Sequence, residues 1–428
     1  MNIQEFVNGI SNGSFDKTMQ KLYGKSDREL LRQKVRYIGA AERFSKMYPK
    51  HGDIFVFSAP GRTEIGGNHT DHQHGCVLAA AVNLDIIAFV SLNDENIIRL
   101  KSEGHKANEV SLDSLDIIDD EKGSSNAIIR GIASAFRESG IEVGGFDAYT
   151  TSDIVSGSGL SSSAAFEILV GTVINELFND GEMNAVDIAQ IGQLAENVYF
   201  GKASGLMDQM VCSVGGFVSI DFFNPLKPSV NSVDFDFSGA GFSLCITDTR
   251  GSHADLTDEY ISVPAEMKTV ANALDCEFLR EVDEDEFYSK LPELRKTCSD
   301  RAILRAAHFF AENNRAVLEA EALETGDTEE FFRLVNESGE SSANLLQNLY
   351  SSKNPQNQEI PLGIMISKRR LGGSGAVRVH GGGFAGTIQA FVPSYLADYY
   401  ADEMNSVFGE NSCKILNIRA LGGVRIKL

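Results

Sequence analysis

A segment rich in glycine and serine connects a predicted strand to a predicted helix near the middle of the chain. Residues 156–163 read Ser-Gly-Ser-Gly-Leu-Ser-Ser-Ser; Phe146, Ala148 and Thr150 alternate with other residues before them, and a mostly apolar run to Phe178 follows. Backbone N–H groups at a helix N-terminus, together with the helix dipole, form an anion-binding site. Glycine lets a phosphate approach the backbone, and serine adds donors, metal ligands or helix caps. The segment therefore predicts a loop that binds a nucleotide phosphate.

This segment differs from the two common phosphate-binding loops. A Walker A motif needs a lysine followed by serine or threonine, and no lysine is present. A dinucleotide fingerprint needs glycine or alanine where Ser162 stands, and an acidic residue about 20 positions further on a second strand. Asp180 lies near that distance, but at the end of the predicted helix. A capped serine-rich turn without a ligand is the alternative; because one N-cap needs one hydroxyl, three consecutive serines favour phosphate binding.

Composition excludes several classes of function. A chain of 428 residues can bury a sizeable core and is typical of two domains. Its net charge of −22 argues against nucleic-acid and anionic-membrane binding, although a nucleotide needs only a local positive site and Mg²⁺. The sequence has no signal-peptide pattern and no apolar run long enough to span a membrane. Six scattered cysteines without a CxxC pair predict free buried thiols. We expect a soluble, cytoplasmic protein.

Strand and helix patterns alternate along both halves of the chain, which predicts an α+β fold with some parallel crossovers. In the first half we expect helical pieces over 1–45, strands over 54–57 and 146–154, a turn at 59–62, a strand pair or strand plus turn over 77–92, and helices over 126–138, 162–178 and 186–200. In the second half we expect strands over 217–221, 242–247, 376–380, 387–392 and 414–420, and helices over 255–274, 301–323, 327–346 and 393–408.

The densest polar segment, residues 61–75, follows a predicted strand and contains three histidines and an aspartate, Asp71. Close histidine spacing of this kind occurs in metal loops, but no cysteine, Glu-x-x-His or distant partner accompanies it. A hydrogen-bonded surface loop is a second alternative. Arginine, asparagine, histidine and aspartate together offer paired donors and acceptors for adjacent hydroxyls, so we favour recognition of a polyhydroxylated ligand.

A second polar segment, residues 195–210, contains Asp208 between Leu206, Met207 and Met210. An aspartate in such a place is usually a helix cap or a solvated residue. If Asp208 is buried among these apolar neighbours, it needs a cationic partner, because an unpaired buried charge is costly. Arg62 is the candidate partner from the segment 61–75.

Four motifs occur in one order between residues 59 and 386. They read Ala59-Pro-Gly-Arg62 with His69-Thr-Asp71, Gly157-Ser-Gly-Leu-Ser-Ser-Ser-Ala164, Gly205-Leu-Met-Asp-Gln209 and Gly381-Gly-Gly-Phe-Ala-Gly386. In this order they resemble the sugar signature, ATP loop, catalytic-aspartate segment and C-terminal glycine motif of the GHMP small-molecule kinases, and within them of the galactokinase family. The segment with His253, Glu259 and Tyr260 also resembles a galactokinase segment that brings a tyrosine to the sugar.

The resemblance implies a two-domain α+β fold, the GHMP kinase fold. Its N-terminal domain is ribosomal-protein-S5-like, its C-terminal domain is of the ferredoxin-like type, and the active site lies in the cleft between them. We accordingly expect a helical extension over 1–45, an N-terminal kinase domain with the sugar signature and ATP loop over 46–215, and a C-terminal kinase domain over 216–428.

The resemblance also implies a role for each matching residue. Asp208 would take or orient the proton of the anomeric hydroxyl, and Arg62 would stabilise both the aspartate and the moving phosphoryl group. The implied ATP-binding residues are Gly157, Ser158, Gly159, Leu160, Ser161, Ser162 and Ser163. Ser162 and Glu196 would hold Mg²⁺. The implied sugar-binding residues are Asn68, His69, Asp71, Gly205 and Tyr260, and the glycines that would close the C-terminal domain onto the site are Gly381, Gly382 and Gly383.

The sugar signature departs from the family pattern in three places. The usual Gly-Glu-His-Thr-Asp is Gly67-Asn-His-Thr-Asp71, the usual Val-Asn-Leu-Ile is Thr63-Glu-Ile-Gly66, and His72 replaces a tyrosine. In the family the missing glutamate contacts the far hydroxyl of the sugar, and Asn68 offers hydrogen bonds there without charge. A site built for one hydroxyl pattern can discriminate by roughly 10⁴-fold, so these changes bear directly on the acceptor.

The leading hypothesis is ATP-dependent phosphorylation of galactose at its anomeric hydroxyl. The first alternative is the same reaction on another sugar, such as N-acetylgalactosamine or arabinose. The second is a galactokinase-like sensor that binds sugar and ATP without catalysis; retention of both Arg62 and Asp208 argues against it. We expect sugar and ATP as the ligands, no nucleic acid, no membrane, and a monomer or weak dimer.

Overall fold

A computed structural model of the chain describes residues 1–154, 159–251 and 256–427. The helices are α1 Ile3–Asn12, α2 Asp16–Tyr23, α3 Asp27–Met47, α4 Ser125–Glu138, α5 Ser162–Phe178, α6 Ala185–Leu194, α7 Met207–Val214, α8 Thr257–Asn272, α9 Glu284–Ser289, α10 Leu291–Thr297, α11 Asp300–Thr325, α12 Thr328–Ser341, α13 Glu359–Leu371 and α14 Ala397–Phe408. The strands are β1 Phe55–Gly66, β2 Cys76–Leu92, β3 Ile97–Ser102, β4 Ala107–Ser111, β5 Phe146–Ser152, β6 Phe217–Asp221, β7 Ser229–Val233, β8 Phe242–Asp248, β9 Ala376–Val379, β10 Thr387–Pro393, β11 Cys413–Leu416 and β12 Val424–Arg425.

The larger of two sheets has the order β12-β1-β2-β5-β3-β4, with β6 paired to β2 and β7 paired to β6. All of its pairs are antiparallel except β3 with β5. The smaller sheet has the order β11-β8-β10-β9 and is antiparallel throughout. This mixture of antiparallel sheets and helices confirms the predicted α+β class. The domain boundaries at 45/46 and 215/216 stay predictions; strands β6, β7 and β12 lie beyond residue 216 and pair within the larger sheet.

Two predictions near the sugar signature are wrong. Residues 76–92 form one continuous strand, because the polar residues that suggested an interruption have buried partners: Asn83 accepts from the backbone of Asn417, and Asp85 is bound by arginines. The predicted turn at 59–62 is part of β1, which continues to Gly66. Proline cannot donate a ladder hydrogen bond, and the chain accommodates Pro60 by a register shift between Pro60 and Arg62. A bulge of this kind redirects the side chains that follow it.

The N-terminal helices α1–α3 confirm the helical pieces predicted over 1–45 and cover one face of the larger sheet. Their apolar side chains form one cluster with strand residues Ile87 and Phe89. The rings of Phe6 and Phe89 meet edge to face with their centroids 5.2 Å apart, a favoured aromatic geometry. The N-terminal segment is therefore an integral part of the folded unit.

Helices α4–α7 supply the other large share of the core, and several of them match their predictions. The predicted helix over 126–138 is α4 Ser125–Glu138, and the one that follows the Gly/Ser loop is α5, which ends at Phe178 as predicted. Helix α5 is apolar on nearly all sides, because it packs in the interior between the sheet and its neighbouring helices. No helix in the described part of the chain is long and apolar enough to cross a membrane. All six cysteines are free thiols; Cys276 and Cys298 are only partly buried.

In the second half, the predicted strand over 414–420 ends at Leu416, and the predicted helix over 393–408 begins at Ala397 after a short 3-10 turn. The predicted helix start at residue 327 is confirmed: the Asp327 side chain accepts from the backbone N–H of Glu330 and caps α12. The smaller sheet and its helices lie against strand β1, where Gln389 donates to the hydroxyl of Thr63 and to the carbonyl of Glu64. This contact brings the C-terminal glycine motif to the sugar signature.

Candidate active site

The bulge in strand β1 brings Arg62 to Asp208 at the start of helix α7. Arg62 Nε donates to Asp208 Oδ1 and Arg62 Nη2 to Asp208 Oδ2, both at 2.7 Å. A planar two-point pair of this kind fixes orientation as well as charge. The Arg62 side chain is 14 % exposed and that of Asp208 30 %. The expectation that Asp208 needs a cation, and that Arg62 supplies it, agrees with this geometry.

Asp208 is an ionised carboxylate. Burial alone would raise its pKa, but the charge and hydrogen bonds of Arg62, with a hydrogen bond from Ser161, hold the pKa of Asp208 below its ordinary value. Asp208 also lies in the first turn of α7, where the helix dipole favours a negative charge. The carboxylate can therefore accept a hydrogen bond from a substrate hydroxyl at neutral pH.

The described part of the Gly/Ser loop lies directly against Arg62. The backbone N–H of Arg62 donates to Leu160 O at 3.0 Å, and its guanidinium also donates to Gly159 O. A Cβ on Gly61 would lie 2.7 Å from Leu160 O, so only glycine permits this approach. Ser161 adopts a left-handed conformation with φ of 53°, and helix α5 begins at the next residue.

The predicted ATP-binding residues are thus partly described. Gly159, Leu160, Ser161, Ser162 and Ser163 lie at the N-terminus of α5, whereas Gly157 and Ser158 lie outside the described residues. The first backbone N–H groups of an α-helix have no partner within the helix and bind anions. The N-terminus of α5 is therefore suited to phosphate, next to the Arg62–Asp208 pair.

A pocket of about 570 Å³ opens beside this helix start. It is lined by apolar residues from α4 and α5, including Ile128 and Phe166, and by Ser162, Glu167 and Glu196. Burial, together with the neighbouring Glu196, raises the pKa of Glu167 to about 8. Glu167 Oε1 is buried with no hydrogen-bond partner among the described residues. Sequence inspection missed Glu167, although a single acid in the apolar run 164–174 was a signal that could have found it.

The polar groups of this pocket fit a magnesium ion bound together with a nucleotide. Glu196 accepts from Lys202 and Gln209 at 2.8 and 2.9 Å, and its carboxylate shares the pocket with the hydroxyl of Ser162. Mg²⁺ prefers oxygen ligands and is usually held by one or two carboxylates plus substrate phosphates. Among the described residues, no group of three or more His, Cys, Asp and Glu side chains is arranged to hold a metal. Of the three histidines of 61–75, His74 stacks on Phe278 at 3.7 Å, and His69 Nε2 donates to the carbonyl of Gly382. Neither contact supports the transition-metal alternative.

Other residues of the sugar signature lie next to the catalytic-aspartate segment and the glycine motif. A Cβ on Gly205 would lie 3.6 Å from Asp71 Oδ2, so these two predicted sugar-binding residues are neighbours. His69, with φ of 60°, donates from Nε2 to Gly382 O at 3.1 Å, and its other ring nitrogen lies 3.3 Å from His72. A non-glycine residue in this left-handed region is uncommon and marks a constrained backbone.

Asn68, a predicted sugar-binding residue, is fully buried, and its amide is hydrogen-bonded to protein on both sides. Its Nδ2 donates to Glu64 Oε1 at 3.0 Å and to Gly381 O at 2.8 Å, while its Oδ1 accepts from Asn348 at 3.0 Å. Glu64 is in turn paired with the buried Arg378 at 2.8 Å. The Asn68 side chain thus joins the sugar signature to the glycine motif.

The three glycines predicted to close the site contact the sugar signature and Tyr260. The hydroxyl of Tyr260 donates to Gly383 O at 2.9 Å, and Gly382 O accepts from Asn348 as well as from His69. Gly383 has φ of +77°, and a Cβ there would lie 2.1 Å from Asn348 O. The predicted neighbour His253 lies outside the described residues. Two further contacts hold the glycine motif against the sugar signature: Glu64 with Arg378, and Thr63 with His380. These contacts were not predicted, because no pattern within either segment indicates the partner.

Family models match two parts of the chain. The model for the GHMP kinases N terminal domain matches residues 126–216, and the model for the galactokinase galactose-binding signature matches residues 42–92. Together with the Gly/Ser loop at the start of α5 and the Arg62–Asp208 pair, the first match defines the chain as a GHMP kinase. The particular family is that of the galactokinases, to which the chain belongs because a galactokinase 30 % identical to it matches 87 % of its length.

Named relatives support this membership. The chain is 30 % identical over 376 residues to a galactokinase of Streptomyces coelicolor. The aligned region covers 87 % of this chain and 93 % of the relative. It is 30 % identical over 366 residues to a galactokinase of Lactobacillus helveticus, covering 82 % and 89 %. Membership makes the chain a sugar kinase, and GHMP kinases use ATP as their phosphoryl donor.

Solved structures show the same fold. Lactococcus lactis galactokinase, crystallised in complex with galactose, superposes with a TM-score of 0.76 at 24 % identity and covers 91 % of this chain and 99 % of its own. Methanococcus jannaschii mevalonate kinase superposes with a TM-score of 0.61 at 16 % identity, covering 86 % and 99 %. The predicted two-domain GHMP kinase fold is thereby confirmed.

Proposed function

We propose that this protein transfers the γ-phosphoryl group of ATP to the anomeric hydroxyl of galactose, giving galactose 1-phosphate. The observation that carries the proposal is the two-point pair between Arg62 and Asp208, which lies against the Gly/Ser loop and beside the sugar signature. Phosphoryl transfer asks chiefly for alignment and charge neutralisation. The Arg62–Asp208 pair meets that demand, because it places an ionised acid and an arginine together between the phosphate loop and the sugar signature.

In this mechanism Asp208 accepts the hydrogen bond of the anomeric hydroxyl and receives its proton as the oxygen attacks phosphorus. Because Arg62 holds the pKa of Asp208 low, the carboxylate is a weak base in the ground state, and its main contribution before transfer is orientation. Arg62 also faces the described end of the phosphate loop. Its charge therefore stabilises the transferring phosphoryl group, in a loop that contains no lysine.

The nucleotide would bind with its phosphates at the N-terminus of α5 and the rest of the molecule toward the adjoining pocket. Gly157 and Ser158 complete the proposed loop with the described Gly159–Ser163. Ser162 and Glu196 would hold Mg²⁺, which supplies charge neutralisation on the phosphates. Glu167 has an unpartnered oxygen, and its carboxyl group lies close to that of Glu196. A divalent cation is favoured here, because it would relieve the repulsion between these two groups.

For the sugar, we propose His69, Asp71, Gly205 and Tyr260 as the ligands. The buried Asn68 amide has its hydrogen bonds taken by protein groups. We therefore assign it a role different from the expected direct contact: it joins the glycine motif to the sugar signature and shapes the pocket wall. The sugar-facing glutamate of the family is thus replaced by a neutral residue that points into the protein.

This difference supports the second candidate, the same reaction on another sugar such as N-acetylgalactosamine or arabinose. A panel of hexoses and pentoses, assayed with MgATP and coupled detection of ADP, tests both candidates. Galactose as the substrate with the highest kcat/KM supports the first, and another sugar supports the second. Absence of turnover on every sugar, with ATP and sugar still bound, would instead identify a non-catalytic sensor.

We further propose a cytoplasmic location, a monomer or weak dimer, and no nucleic-acid partner. The acidic net charge of −22 supports the last point, because binding to a phosphate backbone depends on a local excess of Lys and Arg. Light scattering of the purified protein measures the oligomeric state directly.

A further inference from the structure

An ionised carboxylate is buried on the side of the sheet that faces the N-terminal helices. Asp85 on β2 has no exposed surface. Its Oδ1 accepts from Arg36 at 2.7 Å, and its Oδ2 accepts from Tyr23 at 2.6 Å and from Arg419 at 3.0 Å. Burial would raise the pKa of Asp85, but the two arginines hold it below its ordinary value. A buried charge needs partners of this quality, because losing one leaves an uncompensated ion.

Arg36 of helix α3 binds Asp85 and also the end of a second strand, β5. Its Nη1 lies 3.0 Å from Asp153 Oδ2, and its Nη2 donates to the backbone carbonyls of Asp85 and Thr151, both at 3.0 Å. The backbone N–H of Asp153 donates to Asp85 O at 2.9 Å. One guanidinium therefore connects the middle of β2 to the end of β5.

Both positions adjoin the candidate catalytic groups. Asp85 is the register partner of Pro60, and the register shift that redirects β1 lies between Pro60 and Arg62. On the other side, Asp153 precedes Ile154, whose side chain would lie 3.2 Å from a Cβ on Gly61. Arg36 thus binds residues next to two parts of the site. One is the β1 bulge that carries Arg62, and the other is the end of β5 that leads to the Gly/Ser loop.

We propose that Arg36 is a positioning residue for phosphoryl transfer: it sets the spacing between the β1 bulge that carries Arg62 and the end of β5, and so aligns arginine and nucleotide. Because the N-terminal helices pack on the sheet through their own apolar cluster, they hold this guanidinium in place. The inference rests on the proposed kinase function, and it gives the N-terminal segment a part in catalysis without contact with a substrate.

Arginine is needed at this position for a geometric reason. Its planar fork reaches two carboxylates and two carbonyls at once, which a single ammonium group cannot do. The remaining nitrogen, Arg36 Nε, is buried without a hydrogen-bond partner among the described residues. Such a group is costly, so the orientation of the guanidinium is fixed by the groups that it connects.

The experiment compares Arg36→Lys and Asp153→Ala with Lys34→Gln, a control on the same helix whose partner is Asp16 of α2. Four quantities are measured in the folded fraction: kcat, the KM for ATP, the KM for sugar, and the Kd of a non-hydrolysable ATP analogue with Mg²⁺. We expect the first two variants to lower kcat/KM for ATP on the order of tenfold or more, with the KM for sugar within twofold of wild type. Lys34→Gln should match wild type.

Asp153 is partly exposed, at 17 %, so its variant keeps the test available if Arg36→Lys unfolds. Amide exchange at Gly159–Ser163 in the absence of nucleotide gives a readout independent of activity: it should be faster in both variants than in the control. If the wild type bound the analogue but phosphorylated no sugar, the kinase proposal would fail. Amide exchange and the Kd of the analogue would then still test whether Arg36 positions the nucleotide site. Exchange and nucleotide kinetics equal to wild type, in folded Arg36→Lys and Asp153→Ala, would overturn the inference.

Discussion

The guanidinium of Arg62 and the carboxylate of Asp208 form a two-point ion pair, with Nε–Oδ1 and Nη2–Oδ2 distances of 2.7 Å. The same arginine donates to the carbonyl of Gly159 in the phosphate loop. One side chain therefore touches the proposed base and the proposed phosphate site together.

Asp208→Asn should abolish most turnover while sugar still binds. The amide keeps the shape of the side chain but cannot receive the hydroxyl proton and loses the charge that pairs with Arg62. General-base groups contribute about 10²–10⁴-fold to rate, so a loss of kcat in that range is expected, with sugar affinity by calorimetry nearly unchanged. A variant whose kcat stays within a few-fold of wild type would rule out the assigned role of Asp208.

Arg62→Ala should lower kcat by about 10³-fold or more, as loss of a phosphoryl-stabilising arginine typically does. Arg62→Lys should retain part of the activity, since it keeps the charge without the two-point geometry. In Arg62→Ala, loss of the charge and the hydrogen bonds lets burial raise the pKa of Asp208, so the acid limb of the kcat/KM profile should move to higher pH, and it should move less in Arg62→Lys. An acid limb that does not move would contradict the coupling between these two groups.

Asn68→Glu should weaken the site instead of restoring a family-like sugar pocket. A carboxylate at position 68 would face Glu64 and the carbonyl of Gly381, where Asn68 Nδ2 now donates. We expect a lower melting temperature and a raised KM for sugar. The control is the double variant Asn68→Glu with Glu64→Gln, which removes one of the facing charges and should recover stability. Higher kcat/KM for galactose in the single variant, at unchanged stability, would show that Asn68 faces the sugar.

Gly383→Ala should disturb closure of the glycine motif. The added Cβ would lie 2.1 Å from Asn348 O, and the residue has φ of +77°, so both packing and backbone oppose it. Gly373→Ala is the matched control: φ is +88° and no atom lies within 4 Å, leaving only backbone strain of about 1–2 kcal/mol. Similar melting temperatures and similar sugar KM values for the two variants would argue against the contact.

Three histidines, of which His308 and His380 are buried and His72 is partly buried, should make the fold sensitive to mild acid. Burial lowers the pKa of His72 and of His308 to about 4, and that of His380 to about 3. Between their unfolded values near 6.5 and these folded values, the unfolded chain binds more protons, so stability falls as pH falls. Each histidine contributes a slope of about 1.4 kcal/mol per pH unit.

Urea denaturation at pH 7 and pH 5 measures this slope. His308 is hydrogen-bonded to Ser341 and to the backbone carbonyl of Asn68, and His308→Gln should reduce the pH dependence even where it lowers stability at pH 7. Equal free energies of unfolding at the two pH values would contradict neutral, buried histidines.

Local signals in the sequence predicted much of the fold. Helix α5 ends at Phe178 and strand β6 spans Phe217–Asp221 as expected, because apolar periodicity and turn residues bound both elements. The hairpin β3–β4 and helix α13 were not predicted. Strands β3 and β4 are short and carry charged residues at one edge of the sheet, and α13 has a proline in its first turn, so their local patterns are weak.

The candidate site, like the fold, was predicted only in part. The pairing of Arg62 with Asp208 and the loop that leads into α5 were predicted, since their motifs lie within short segments and a buried acid among apolar residues needs a cation. The orientation of Asn68 was not predictable, because its partners Glu64, Gly381 and Asn348 come together only in the folded chain. The contacts of Arg36 depend on long-range pairing in the same manner.

Phosphorus NMR of the purified protein with galactose and MgATP follows the proposed phosphoryl transfer directly. The proposed mechanism predicts that ADP and a phosphate ester on the anomeric oxygen appear in equal amounts, and that Asp208→Asn forms neither at a comparable rate. Phosphate on another hydroxyl, or ATP left intact with galactose and with every other sugar tried, would contradict it.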